Sequence, residues 1–368
     1  MPAPLHPDHL AFALRLHQRL ILSDAGMAWS PYSVASALGL LAMGARAATR
    51  LELTRLLTAD ADGEDALASH MAALDDAVTA GPEMARASGL WLRAGLPLAS
   101  DTERRLRERP EASIHVADFA GDPEGARHAV NAEVAKVTRG LIGELLSPGA
   151  VTSATQALLT TAVWVRLAWR HPFTVDSTTP RPFATPAGQR HVPTMHRRGQ
   201  MEYAATAGWR MVTLAGDHDL ALDVLLPDSP TDSAPPQEAT VRRLYRRSRV
   251  TEVELSLPRF EISHGSELVP ALGDAGVTTL FSNDADLSGI SPQRLRVDSV
   301  AHRCRLRVDE KGAEGAAATA VMMLAGAVPN RKPVVFTVDR PFHFLLRRHG
   351  AILFLGTVTE PHDPGPAS

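Results

Sequence analysis

The sequence has little of several features that would define its class. Its one cysteine, Cys304, excludes an internal disulfide among the 368 residues and suits a reducing compartment. No apolar run approaches the length of about 20 residues that a membrane helix needs. Residues 1–26 lack the basic start, the apolar block and the small-residue cleavage site of a secretory signal. We therefore expect a cytoplasmic protein, with an extracellular location by another secretion route as the alternative.

An excess of charge of one sign is also missing. Lys and Arg number 38 and Asp and Glu 41, which gives a net charge of −3. This balance predicts neither nucleic acid nor a membrane as the main partner. The local exception is the basic run RRLYRRSR at 242–249. It could bind a polyanion or an acidic partner, although a solvated helix face is the simpler interpretation.

Motifs for catalysis or metal binding are absent as well. The chain has no G-x-S-x-G, no H-E-x-x-H, no Gly-rich phosphate loop and no C-x-x-C. HPDH at 6–9 and GDHD at 216–219 contain residue types that bind metals, but a frayed terminus and a solvated turn explain them more simply. We predict no enzyme activity, no cofactor and no metal.

What is present indicates a single folded domain. Hydrophobic residues make up 45% and charged residues 21%, as expected of a chain that buries a sizeable core. Helical patterns dominate residues 1–150 and strand patterns dominate the remainder, an order that predicts an α+β fold. Residues 228–240 are polar and Pro-rich, and they indicate a surface loop rather than a domain boundary. We assign residues 1–368 to one domain.

A run of small residues, AEGAAATAVM, lies at 313–322. In a strand, one face of this run would carry only small or β-branched residues, and the other would carry the charge of Glu314. Such a strand could fill a preformed gap in a sheet without overpacking. Ala and Gly are poor strand formers, so the run would stay exposed until a vacant position accepts it. An alanine-rich helix is the alternative on local propensity.

The segment EKGAEGAAAT at 310–319 resembles the hinge of the reactive-centre loop of the serpins. Other segments resemble further serpin motifs and occur in the family's order: WSPYSVASALGLLAMGARAAT at 29–49, VWVRLAWRHPF at 163–173, VPTMHRRGQMEYA at 192–204, LPRFEIS at 257–263 and DRPFHFLLRRHGAILFLGTVTEP at 339–361. The resemblance spans roughly residues 8–361. We expect an inhibitory serpin of bacterial type.

The resemblance implies a serpin fold of three β-sheets and eight or nine helices. It places an exposed reactive-centre loop at about 310–335, and we expect a disordered tail at 362–368. It also implies a monomeric suicide inhibitor. A serine protease cleaves the loop, an acyl-enzyme forms, and the cut loop inserts as a central strand of the large sheet. The alternative is a non-inhibitory serpin that acts as a substrate, a binding protein or a chaperone-like protein.

The resemblance assigns the hinge and the scissile bond to particular residues. The implied hinge comprises Glu310, Gly312, Ala313, Glu314, Gly315, Ala316, Ala317, Ala318 and Thr319. Ala313 stands where the family usually has Thr or Ser, and Gly315 stands where it usually has Ala. Glycine raises the entropy cost of ordering a strand, so Gly315 could slow insertion and favour the substrate alternative.

The implied scissile bond is Gly326–Ala327, with Ala325–Gly326 and Ala327–Val328 as its neighbours. These small, neutral residues suit a protease with a shallow primary pocket, of elastase or subtilisin type. Arg331 would suit a trypsin-like protease but lies too far along the loop.

Two further groups of residues are implied by the family's mechanism. Ser30, Ser33, Thr161 and His302 correspond to a polar "shutter" beneath the centre of the large sheet. Thr161 replaces the family's asparagine, so we expect a differently wired network. Trp169 corresponds to the "breach", where the loop enters the sheet. Simpler roles exist for each: a helix cap for Ser30, a locally satisfied histidine for His302, and core packing for Trp169.

Overall fold

The computed structural model describes residues 5–21, 26–58, 63–77, 84–99, 113–165, 167–206, 208–229, 234–312 and 332–365. These ranges contain seven α-helices and two 3₁₀ turns. The helices are α1 (Pro7–Leu20), α2 (Pro31–Gly44), α3 (Ala47–Leu57), α4 (Glu64–Asp76), α5 (Pro123–Val137), α6 (Glu238–Arg247) and α7 (Val269–Asp274), and the 3₁₀ turns are Val175–Ser177 and Thr279–Phe281. None of these helices is long and apolar enough to cross a membrane.

The same ranges contain the strands of two hydrogen-bonded sheets. The strands are β1 (Met27–Trp29), β2 (Met84–Arg93), β3 (Ser113–Ala117), β4 (Ala157–Val165), β5 (Thr179–Thr185), β6 (Gly188–Thr206), β7 (Trp209–Ala215), β8 (Leu220–Pro227), β9 (Arg249–Pro258), β10 (Phe260–Glu267), β11 (Ser299–Val308), β12 (Val334–Thr337), β13 (Phe342–Arg348) and β14 (Ala351–Val358). Five strands form one sheet in the order β10-β11-β4-β2-β3. The other nine follow the order β1-β14-β13-β8-β7-β6-β9-β12, with β5 paired to β6.

The architecture confirms the α+β class and the serpin-type fold expected for it. Within the described ranges, the ladders join the strands into two sheets, and seven of the eight or nine expected α-helices lie in these ranges. The nine-stranded sheet is continuous because β6, which runs unbroken for 19 residues, links strands that would otherwise form two sheets. Its first part pairs with β5, and its later parts pair with β9 and β7.

Helix α2 is buried on nearly all sides because it lies between the two sheets. It packs against β4 of the five-stranded sheet and against β14 of the nine-stranded sheet. The hydroxyl oxygen of Ser30 accepts the N–H of Ser33, and Pro31 occupies the first turn, so the helix begins at this point as its sequence predicts. The capped end of α2 therefore lies at the back of the five-stranded sheet.

The five-stranded sheet has two parallel strands, β4 and β11, at its centre. They pair directly, from Ser299 opposite Leu158 to Arg305 opposite Trp164. The strands on either side of this pair, β2 and β10, are antiparallel to their neighbours β4 and β11. A strand that entered between β4 and β11 and ran against both would give the sheet antiparallel pairing at its centre.

Candidate functional site

The four predicted shutter residues meet where β4 pairs with β11, on the face of the sheet that packs against α2. Ser30 and Ser33 come from the start of α2, Thr161 from β4 and His302 from β11. All four are at most 1% exposed. His302 lies directly opposite Thr161 in the parallel ladder. The residues therefore form one buried polar cluster that joins both central strands to the helix behind them.

The imidazole of His302 is the centre of this cluster. Its Nε2 lies 3.0 Å from the backbone nitrogen of Ser30, whose N–H can only donate. Nε2 is therefore unprotonated, and the neutral ring carries its proton on Nδ1. Burial, with a smaller contribution from His264, lowers the pKa of His302 to about 3. The ring is neutral at physiological pH, as this pattern of donors and acceptors requires.

Thr161, the predicted counterpart of the family's asparagine, provides a partner for the histidine. Its Oγ1 lies 2.8 Å from Nδ1 of His302 and accepts the imidazole proton. The network is thus wired through a hydroxyl, as the substitution predicts. The bond crosses the line between β4 and β11, so it must break when these strands separate.

Trp169 joins the segment after β4 to the segment after β11. Its indole Nε1 donates to the carbonyl oxygen of Asp309 at 2.8 Å, and its backbone N–H donates to that of Lys311 at 3.1 Å. Phe173 donates in the same way to the carbonyl oxygen of Glu310 at 2.9 Å. The side chain of Trp169 is 3% exposed, so it also serves the packing role that its sequence allows. Its hydrogen bonds join the segments that follow β4 and β11, just beyond the ends of the two strands.

Glu310, the first residue of the predicted hinge, is completely buried. Its Oε1 accepts the hydroxyl of Thr178 at 2.7 Å and lies 3.3 Å from a guanidinium nitrogen of Arg259. Arg259 stands at the start of β10, and Thr178 stands just before β5. The carboxylate therefore ties the end of β11 to the start of β10 and to the segment before β5. A buried charge of this kind needs such partners, because an unpaired carboxylate would be costly.

Gly312 closes a tight turn after β11. Asp309 and Gly312 exchange backbone hydrogen bonds of 3.3 and 3.2 Å, and Gly312 forms an antiparallel bridge with Ala168. Its φ of 106° lies in a region that favours glycine, and an added Cβ would come within 2.1 Å of the Leu167 carbonyl oxygen. Glycine is required here by both conformation and space.

A model of the family described as "Serpin (serine protease inhibitor)" matches residues 8–361. The chain is a serpin. Iris of Ixodes ricinus is 30% identical over 98% of this chain and 100% of its own length. Serpin-Z1C of Triticum aestivum is 33% identical over 95% and 94%, and the leukocyte elastase inhibitor of Bos taurus is 31% identical over 90% and 92%. These relatives come from a tick, wheat and cattle, so the expectation of a bacterial-type serpin is not borne out.

Solved structures support the serpin fold. Uncleaved ovalbumin superposes with a TM-score of 0.84 at 22% identity and covers 98% of this serpin and 100% of its own chain. Serpin48 of Tenebrio molitor gives a TM-score of 0.84 at 23% identity, with coverage of 96% and 97%. At these identities the likeness establishes the fold alone.

The remaining predicted loop residues lie outside the described part of the serpin. They are the hinge residues Ala313, Glu314, Gly315, Ala316, Ala317, Ala318 and Thr319, and the cleavage-site residues Ala325, Gly326, Ala327 and Val328. Their assignments stay predictions.

The structure also adds residues that the sequence did not single out. Arg259 and Thr178 hold Glu310, and the buried carboxylate of Asp309 pairs with Arg307 at 2.9 Å. Burial raises the pKa of Asp309, and Arg307 partly offsets that rise.

The segment GDHD lies in the turn between β7 and β8, where Gly216 bridges Trp169. Within the described ranges, no group of three or more ligand-type side chains is arranged to hold a metal ion.

Proposed function

We propose that this serpin is a monomeric suicide inhibitor of serine proteases with elastase-like or subtilisin-like specificity. The observation that carries the proposal is the direct parallel pairing of β4 with β11, next to a hinge whose following residues are small. The family as a whole is described as serine protease inhibitors. The proposal extends that description to a covalent mechanism and a particular specificity.

The turn that follows β11 supports insertion of the loop between the central strands. The turn at Asp309–Gly312 has already reversed the chain direction, and Gly312 pairs antiparallel with Ala168, just beyond the end of β4. Each further loop residue that follows Gly312 into the sheet would extend this antiparallel pairing. On the face of the strand that avoids Glu314, the residues Ala313, Gly315, Ala317 and Thr319 would enter with little overpacking.

Insertion would exchange one ladder for two. The single parallel ladder of β4 and β11 would open by about 4.8 Å, the spacing of one strand. The incoming strand would pair with both neighbours. At roughly 1 kcal/mol net for each hydrogen bond, the added strand could supply on the order of 10 kcal/mol. The gain must first overcome the hydrogen bonds that join β4 and the segment after it to β11 and the segment after it, which include those of His302 to Thr161 and of Trp169 to Asp309.

Cleavage would couple this gain to the trapped protease. The protease serine attacks the carbonyl carbon of Gly326, the bond to Ala327 breaks, and the departing amine takes its proton from the protease histidine. Gly326 then remains as an ester of the protease serine. If insertion outruns hydrolysis of this ester by water, the protease is carried along with the loop and stays attached. The small residues around the bond suit a shallow primary pocket.

Incubation with pancreatic elastase, a subtilisin, chymotrypsin and trypsin tests the proposal. We expect an adduct that resists detergent and carries the mass of an elastase or a subtilisin, together with a released peptide that begins at Ala327. The matched control is each protease with its nucleophilic serine replaced by alanine, which should give no adduct. Clean cleavage without an adduct across the panel and at several ratios would contradict covalent trapping and support the substrate alternative.

A further inference from the structure

The last described residues of the chain fold back onto the five-stranded sheet. The family match ends at residue 361, and the structure describes residues 362–365 beyond it, here called the docked tail. The backbone N–H of Glu261 donates to the carbonyl oxygen of His362 at 2.8 Å, and the two residues form an antiparallel bridge. We expected a disordered tail from residue 362 onwards, whereas the structure gives these four residues defined partners.

Protection of a sheet edge explains only part of this arrangement. Strand β10 is the first in the order β10-β11-β4-β2-β3, so the tail lies along an outer edge of this sheet. Covering an edge hides backbone donors and acceptors that would otherwise pair with another chain. The bridge at His362 serves this purpose at the start of β10. It does not account for the side-chain contacts of the docked tail, which reach the turn after β11.

Arg259 is shared between the docked tail and Glu310 of the predicted hinge. Its Nη2 lies 3.1 Å from Oδ2 of Asp363, and its Nη1 lies 3.3 Å from Oε1 of Glu310. Nε of Arg259 and Oε2 of Glu310 are buried and have no hydrogen bond within the described ranges. The direction of the guanidinium therefore depends on its two terminal nitrogens. Because this group is planar and rigid, a partner on Nη2 also fixes the direction of Nη1.

Arg307 forms a second connection of the same kind. Its Nη2 donates to the carbonyl oxygen of Gly365 at 3.4 Å, and its Nε donates to the carboxylate of Asp309 at 2.9 Å. Asp363 is held within the docked tail, since its Oδ1 accepts the N–H of Gly365 at 3.0 Å. The docked tail thus reaches both carboxylates of the turn after β11, each through a separate arginine.

These two carboxylates belong to the residues whose carbonyl groups join β11 to the segment after β4. The carbonyl oxygens of Asp309, Glu310 and Lys311 accept the hydrogen bonds of Trp169 and Phe173. Entry of a strand between β4 and β11 requires these bonds to break. A side chain that is held at both ends leaves its backbone fewer conformations, so restraint of Asp309 and Glu310 favours the closed arrangement.

We propose that Asp363 is a positioning residue for loop entry. By orienting Arg259 it holds Glu310, and with it the turn after β11, in the closed arrangement. The proposal rests on the insertion proposed above, although the restraint of the turn requires no protease. Charge repulsion between Asp363 and Glu310 acts in the opposite direction. Asp363 is 37% exposed, so solvent screens its charge, and we expect the orienting effect to be the larger.

Amide hydrogen exchange of the intact protein, followed by mass spectrometry, tests the restraint. The variant is D363A. The matched control is D228A, which removes an aspartate that lies at the same distance of 3.1 Å from an arginine, Arg210, in the nine-stranded sheet. The amides to follow are those of Trp169 and Phe173, which donate to the carbonyl oxygens of the turn. The amides of β13 and β14 serve as an internal reference for global unfolding.

In D363A, the amides of Trp169 and Phe173 should exchange at least about threefold faster, the effect expected for an ion pair with one partly exposed member. The amides of β13 and β14 should be unchanged, and D228A should leave the exchange of Trp169 and Phe173 as it is in the native protein. Unchanged or slower exchange in D363A, an equal acceleration in D228A, or a uniform acceleration that includes β13 and β14 would overturn the proposal.

The rate of loop entry is the second readout. Native protein and D363A are mixed rapidly with an excess of elastase or subtilisin, and tryptophan fluorescence is followed at saturating protease. The limiting rate should rise at least about threefold in D363A. An unchanged limiting rate together with faster exchange would overturn the role of Asp363 in loop entry. If the native protein forms no adduct, the proposed inhibition fails, and the exchange experiment still decides whether Asp363 restrains the turn.

Discussion

The folded protein buries several neutral histidines. Lowering the pH from 7 to 5 is therefore expected to destabilise it strongly. Burial is the largest cause in each case. It lowers the pKa of His17 and His302 to about 3, and the pKa of His70 and His343 to about 4. Their ordinary value of 6.5 applies in the unfolded chain. Between pH 6.5 and about 4, the unfolded chain therefore binds protons that the folded protein does not.

The sign and the size of the effect follow from this difference. Because each folded pKa lies below the unfolded one, stability is fully present above pH 6.5 and falls as the pH drops towards the folded values. Each histidine contributes a loss of about 1.9 kcal/mol between pH 7 and pH 5. The four together contribute a loss of about 7.5 kcal/mol. This is comparable with the whole stability of an ordinary domain, which is about 5–15 kcal/mol.

Urea unfolding followed by circular dichroism at pH 7, 6 and 5 measures the loss directly. The variant His70→Gln retains a donor for the Leu57 carbonyl oxygen, which lies 2.8 Å from the histidine in the native protein. At pH 5 this variant should take up about one proton fewer on unfolding than the native protein does. A total loss below about 3 kcal/mol, or a variant with unchanged proton uptake, would refute the reasoning.

Three substitutions test the site itself. Thr161→Val removes the acceptor of the buried imidazole proton and should cost about 1–3 kcal/mol in urea unfolding, whereas Thr161→Ser should cost less. Gly312→Ala should cost more than about 1 kcal/mol because of its positive φ, while Gly273→Ala, which has open space for a Cβ, should be neutral or stabilising. Arg259→Met leaves the carboxylate of Glu310 without its cation and should cost about 3–5 kcal/mol, and a cost below 1 kcal/mol would show that the pair is not important for stability.

The sequence singled out all four residues of the buried polar cluster around His302, but it did not specify their contacts. Ser30 precedes a proline at a helix start, and His302 lies in a strand pattern, so each had a local signature. Their meeting depends on the register of two parallel strands, which places His302 opposite Thr161 although the residues are 141 apart in the chain. No local pattern specifies such a register.

The contacts of Glu310, in the predicted hinge, were even less predictable from local sequence patterns. Glu310 could be assigned to the hinge from the motif around it, but Arg259 and Thr178 are 51 and 132 residues away. The merging of two expected sheets into one likewise depends on β6 continuing without a break over 19 residues. A strand pattern in sequence shows where a strand lies and not which neighbours it joins.

We expect the cleaved loop to enter the sheet between β4 and β11, and a thermal melt of the cleaved protein measures the resulting gain in stability. The loop is cut by limited proteolysis, and the two-fragment product is compared with the intact serpin by calorimetry. With an unfolding entropy of roughly 2.1 cal/mol/K per residue, a gain of about 10 kcal/mol raises the melting temperature by about 13 °C. A rise of this size or larger is the predicted result. An unchanged or lower melting temperature after complete cleavage would contradict insertion.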